Sequence, residues 1–191
     1  MIELDITELF EEVVKKLPEG LEILYPDGKG GTKVVKSPRL NYIFGSSQYI
    51  KDILDEYSQS PTQSEKKFPL IALFTPINED RGDPDYFSKA KVSLIIACSS
   101  RGKEWSNEQR RVMSFKNILR PIYNRFFEVL YEDSRFDCDC DEKVKHSYSE
   151  NYSYGRYGAY TESGKAVSEP IDAINIRSME IKINNLNCRR K

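Results

Sequence analysis

The chain has 191 residues, of which 39% are hydrophobic, 31% charged and 12% aromatic, with 12 tyrosines. Its 29 basic and 30 acidic residues leave a net charge of -1, which argues against a general nucleic-acid binder built on a basic stripe. The 4 cysteines are scattered, unlike a secreted disulfide framework, so a reducing compartment is expected. No apolar run approaches the roughly 20 residues that cross a bilayer, and the acidic start Met1-Ile2-Glu3-Leu4-Asp5 is not that of a secretory signal. The length fits one domain over 1–191, with room for an extended arm.

The first predicted helix covers 7–17. Ile6, Leu9, Phe10, Val13 and Leu17 form one apolar stripe, Asp5 and Glu8 make a capping box, and Pro18 and Gly20 end it. A short strand at 21–25 and a second at 32–35 flank a glycine-rich turn, which reads as a hairpin. The segment at 40–44 is apolar and stops at Gly45. Ser46 or Ser47 then caps a helix with Ile50, Ile53, Leu54 and Tyr57 inward, followed by a polar loop over 58–67.

The nearly all-apolar stretch 68–75 predicts a buried strand, with Pro69 marking its start. A loop over 77–86 leads to another buried strand at 89–98, and the pair is most simply antiparallel. The longest helix opens at Ser106, with Gln109 completing a capping box. Val112, Phe115, Leu119, Ile122, Phe126, Val129 and Leu130 supply its inner face. Pro121 lies within it, and a proline costs a helix interior about 3 kcal/mol, so a kink or break is expected between Asn117 and Pro121.

The alternation of Phe136, Cys138 and Cys140 with Asp137, Asp139 and Asp141 predicts a half-buried edge strand over 133–142. A Tyr-rich loop or arm follows at about 143–168, with Tyr148, Tyr152, Tyr154, Tyr157 and Tyr160. The final strand at 172–183 changes phase. A bulge near Arg177-Ser178 would keep Ile174, Ile176, Met179, Ile181 and Ile183 all inward. The expected fold is α+β: an antiparallel or mixed sheet with an N-terminal helix and a long kinked helix packed on one face, plus extended loops or arms.

Several features invite chemistry and each has a plainer reading. Cys138, Cys140 and His146 are good zinc-ligand types, but the spacing is wrong and the alternation already explains two inward thiols. His146 alone reads as ordinary surface. Glu79, Asp80, Asp83 and Asp85 are a carboxylate cluster without the ligand order of a calcium loop, better read as a solvated loop. The glycine turn at 28–33 lacks the Gly-Lys-Ser/Thr ending of a phosphate loop. Arg110, Arg111, Lys116, Arg120 and Arg125 put positive charge on the outer face of the long helix. No catalytic, metal or cofactor site is expected. The Tyr-rich stretch stands out, because tyrosine is favoured where one protein docks on another. The plainer readings are a loop folded back over the sheet, or disorder.

The order of elements, with Phe-Pro-Leu-Ile-Ala-Leu-Phe-Thr-Pro at 68–76, Val-Ser-Leu-Ile-Ile-Ala at 92–97, the segment 111–123 and the closing strand 172–183, resembles the neck and tail-completion proteins of tailed bacteriophages, in particular tail-terminator-like proteins. The resemblance spans most of 68–183. The long Tyr-rich insert and the cysteine-bearing strand depart from it. It implies a non-enzymatic virion component, assembled in the host cytoplasm, that forms a homo-oligomeric head–tail connector or tail-terminator ring. Its partners would be portal, neck or tail proteins, with DNA passing through the channel unbound and no membrane involved. Subunit contacts are then expected at Tyr148, Tyr152, Tyr154, Tyr157 and Tyr160, at Asp80, Arg81 and Tyr86 in the 77–86 loop, and in the hairpin. Two other readings stand beside it: a cellular protein-binding adaptor domain, and a metal-dependent hydrolase or nuclease using Asp80, Asp83 and Asp85.

Overall fold

Apolar residues at every second position on both faces of β4 (Leu70–Asp80) make it the centre of the structure. Leu70 and Ala72 point to one side, Ile71 and Leu73 to the other, and all four are buried. A strand buried on both faces needs a cover on each. The computed structural model describes residues 5–27, 31–59, 67–81, 87–100, 105–137, 144–152 and 170–184.

The chain is α+β, as expected. It runs α1 (Ile6–Lys16), β1 (Glu22–Pro26), β2 (Thr32–Lys36), β3 (Asn41–Gly45), α2 (Ser47–Gln59), β4, β5 (Phe87–Ser99), α3 (Asn107–Arg110), a π-helical segment (Arg111–Leu119), α4 (Arg120–Glu132), β6 (Ser147–Asn151) and β7 (Ile171–Asn184). Strands β1 and β2 form the expected hairpin. The other five form a mixed sheet in the order β3-β4-β5-β7-β6. Strand β3 is parallel to β4, and every later pairing is antiparallel.

One face carries Ile71, Leu73, Val92, Leu94, Ile96, Cys98, Ile174 and Ile176 and is covered by α1 and the long helix. The capping box of α1 is present: Glu8 N–H donates to Asp5 Oδ1 at 2.9 Å and Asp5 N–H to Glu8 Oε2 at 3.0 Å. The opposite face is covered too. Helix α2 lays Ile50, with Ile53, Leu54 and Tyr57, over Ile43, Leu70, Ala72, Ile95 and Ala97. Ser46 is its cap residue, accepting from Tyr49 N–H at 3.2 Å.

The bulge in β7 lies where the phase slips. Val92 pairs with Met179 and Leu94 with Ile176, so Arg177 and Ser178 together oppose Ser93. Ser178 takes a φ of 51°, and Ile174, Ile176, Met179, Ile181 and Ile183 all reach the same core.

Some expectations are corrected. The 77–86 loop starts later, because β4 runs on through Ile77 to Asp80. Pro76, which has no N–H for the ladder, sits where the β4–β5 register shifts between Phe74 and Asn78, so it interrupts the pairing without ending the strand. The polar loop after α2 is shorter at both ends, since α2 reaches Gln59 and Lys67 is buried. Pro121 does not break the long helix. The π register, in which Arg120 N–H donates to Phe115 O five residues back, hands over to α at Arg120, so Pro121 falls in the first turn of α4. Its missing N–H therefore falls at the handover between the two hydrogen-bond registers. Of the strand expected over 133–142, the described part shows one bridge, Phe136 to Ile183; Cys138 and Cys140 lie outside the described residues.

Candidate functional site

The Tyr-rich segment begins as a strand. Tyr148 pairs with Ile176 and Glu150 with Ile174 on β7, so Tyr148, Glu150 and the following Tyr152 face the long helix. The expectation of an arm without regular structure is therefore corrected over 147–151: five of its residues add an edge strand to the sheet. None of them is aliphatic, so the strand is held by polar and aromatic contacts instead.

Arg120 makes the main one. Its Nε donates to Glu150 Oε1 at 2.8 Å and its Nη2 to Oε2 at 3.0 Å. This two-point geometry is among the stronger ion-pair arrangements. Tyr148 Oη donates to Glu150 Oε1 at 2.6 Å. The Arg120 guanidinium holds the Glu150 carboxyl below the usual range. Burial, followed by the hydrogen bond to Glu150, pushes the Tyr148 phenol up. Tyr148 packs edge-on against Tyr123 with centroids 5.0 Å apart, and Tyr152 lies on Phe115 at 4.4 Å.

His146 completes the cluster and is not the plain surface residue expected. Its ring stacks on Phe127 at 4.7 Å. Nδ1 lies 2.7 Å from Val144 O, and a carbonyl only accepts, so Nδ1 carries the proton. In the neutral ring Nε2 then accepts from Tyr123 Oη at 2.8 Å. Beside it, Tyr131 Oη accepts from Val144 N–H at 3.2 Å. Strand β6 is thus clamped to α4 from both ends, while Tyr148 and Tyr131 keep 43% and 42% of their surface exposed.

Asp80 and Arg81 do not join this cluster. Asp80 pairs with Lys89, whereas Tyr148 lies level with Leu94 through Ile176; five residues along β5 separate the two levels, roughly 17 Å at strand rise. Arg81 pairs with its neighbour Glu79 at 2.9 Å. Tyr86, Tyr154, Tyr157 and Tyr160, with Asp83 and Asp85, lie outside the described residues.

A second polar cluster is fully enclosed. Arg110 Nη1 donates to Asp172 Oδ1 at 3.1 Å, and Ser114 Oγ donates to Asp172 Oδ2 at 2.6 Å. Arg110 was expected on the outer face of the helix. It is buried because Asp172 shares the inward phase of Ile174 and Ile176 on β7 and carries its carboxylate beneath the start of the helix. Cys98 pairs with Asp172 across the strands. Burial, with the Asp172 charge beside it, pushes the Cys98 thiol far up. That is the reverse of an activated nucleophile, so the cluster reads as structural.

Sequence reasoning missed Phe44 and Tyr49 at the opposite edge of the sheet. Phe44 is 46% exposed and Tyr49 52%. Tyr49 lies against Gly45, whose φ is 149°, so closely that a Cβ there would sit 2.6 Å from its ring. The signal available was a glycine four residues before an aromatic at a strand-to-helix corner. Among the described residues no group of three or more metal-ligating side chains gathers, and no helix is long and apolar enough to cross a membrane. No protein-family model matches the chain, and no curated protein matches it in sequence.

Proposed function

We propose that this protein is a non-enzymatic assembly component of a tailed-phage virion, a subunit of a homo-oligomeric head–tail connector or tail-terminator ring. The observation that carries the reading is the clamped aromatic edge at β6. Tyr148 and Tyr131 are exposed yet held by Glu150, Tyr123, Phe127 and the Val144 backbone. Exposed aromatics that are already ordered lose little entropy on docking, which suits a permanent contact. The pattern resemblance over 68–183 supplies the setting, and the balanced charge suits a channel through which DNA passes without being gripped. Portal, neck and tail proteins are the proposed partners.

The test is to mix the purified chain with the portal, neck and tail-tube proteins of one phage and image the species formed. Annular particles at the junction of head and tail support the reading. A single one-to-one complex with one partner would favour an adaptor domain that docks through the same edge.

A further inference from the structure

We infer that the ring closes by strand addition: β6 of one copy pairs antiparallel with β3 of the next, in full register, so that one sheet runs on through the assembly. This rests on the ring reading proposed above.

Among the described residues, β3 and β6 are the two end strands of the five-stranded sheet. Each is five residues long. An unpaired strand is a template for another chain, and proteins guard such edges with lysine, proline or a bulge. The small hairpin is guarded in that way, with Pro26 on β1 and Lys33 and Lys36 on β2. Neither Asn41–Gly45 nor Ser147–Asn151 has a proline, a lysine or a bulge in its pairing. Among the described residues, the two edges that would have to be protected on a monomer lack these three guards.

Their directions and faces also agree. Strand β3 runs with β4, and three antiparallel steps then reach β6, so β6 runs opposite to β3. Copies related by rotation about a ring axis keep their strand directions along that axis. The β6 of one copy therefore meets the β3 of the next antiparallel. With all five residues matched, Tyr148 faces Phe44, Glu150 faces Tyr42 and Asn151 faces Asn41. This register keeps faces together. Tyr148 and Phe44 both lie on the sheet face that α1 and α4 cover, since Tyr148 packs on Tyr123 and Tyr42 Oη donates to Thr7 O at 2.9 Å. The two exposed aromatics would become a cross-strand pair, a favourable unit of sheet contact. Main-chain hydrogen bonds would supply the rest, as in other strand-addition interfaces.

The experiment uses the full chain with Cys138, Cys140 and Cys188 replaced by serine, carrying Asn41→Cys and Asn151→Cys together or singly, and a short bis-maleimide. A covalent ladder rising past the dimer in the double variant, absent from both single variants, is the expected result. Phe44→Lys, which adds the missing guard to β3, should weaken association roughly tenfold or more, with the far-UV circular dichroism spectrum unchanged. Large assemblies by mass without a ladder would overturn the strand pairing and leave the ring reading standing. A species that stops at a dimer, or a monomer at every concentration with tail-tube protein present, would overturn both. Full-strength assembly of Phe44→Lys would also count against the pairing.

Discussion

Arg110 and Asp172 meet as an ion pair at 3.1 Å with side-chain exposures of 3% and 0%. The contact ties the first turn of the long helix to the first residues of β7. A buried pair is not simply stabilising, because both charges were taken from water. Removing one partner leaves the other uncompensated, at a cost of about 3–5 kcal/mol. Arg110→Met should therefore destabilise the fold by about that amount in urea unfolding. The double change Arg110→Met with Asp172→Leu should recover most of the loss, since an apolar pair of similar size leaves no stranded charge. A double variant as unstable as the single one would show that the cluster is needed for more than charge balance.

Cys98 should be chemically silent in the folded protein. It is buried and its thiol is pushed far above the ordinary range by burial and by Asp172. In a chain with Cys138, Cys140 and Cys188 changed to serine, a thiol reagent at pH 8 should label Cys98 only at the rate at which the protein opens, and fully in denaturant. Rapid labelling in native buffer would contradict the burial.

Asp133 should make the protein acid-sensitive. It caps the end of α4, where a negative charge is unfavourable to the helix dipole. Arg135 Nη2 at 2.6 Å and Lys16 Nζ at 2.9 Å offset this. The Arg135 hydrogen bond, assisted by that from Lys16, holds the Asp133 carboxyl well below its ordinary range. A lowered folded pKa gives stability that is present above the unfolded value, about 3.9, and is lost as pH falls below it. Urea midpoints at pH 7 and pH 3 should differ, and Asp133→Asn should lower the pH 7 midpoint and narrow the gap. Glu150, lowered by Arg120, should leave some of the dependence in place. An unchanged gap in the variant would count against the Arg135 contact.

Gly45→Ala tests the corner that seats Tyr49. The alanine would have to adopt a φ of 149° with its Cβ 2.6 Å from the tyrosine ring. A loss of roughly 1 kcal/mol or more is expected, detectable as a lower melting temperature. Adding Tyr49→Ala should relieve the steric part and leave the backbone part.

Much of this fold is legible in side-chain period. The α1 stripe, the two-faced β4, the β5 strand and the β7 bulge near Arg177-Ser178 follow from which residues are apolar and at what spacing. Edge elements are less legible, because their stability comes from particular partners. Strand β6 has Tyr148, Glu150 and Tyr152 at alternate positions, a two-residue period hidden by polar chemistry, and only Arg120, 30 residues earlier, explains why Glu150 faces inward. The burial of Arg110 was likewise invisible without Asp172. The π register between Arg111 and Leu119 leaves no local signature, although Ser106 and Pro121 marked both of its neighbourhoods. At the candidate interface, Tyr148 and Tyr152 were found by composition, whereas Phe44 needed the strand order, since only topology reveals that β3 ends the sheet.

The most direct measurement is the mass of the purified chain over a concentration series, by sedimentation velocity or native mass spectrometry, with and without tail-tube protein. One closed species of fixed copy number, which grows at the expense of monomer and then stops, is expected. A monomer under every condition, with the tail-tube protein present at saturating concentration, would contradict it.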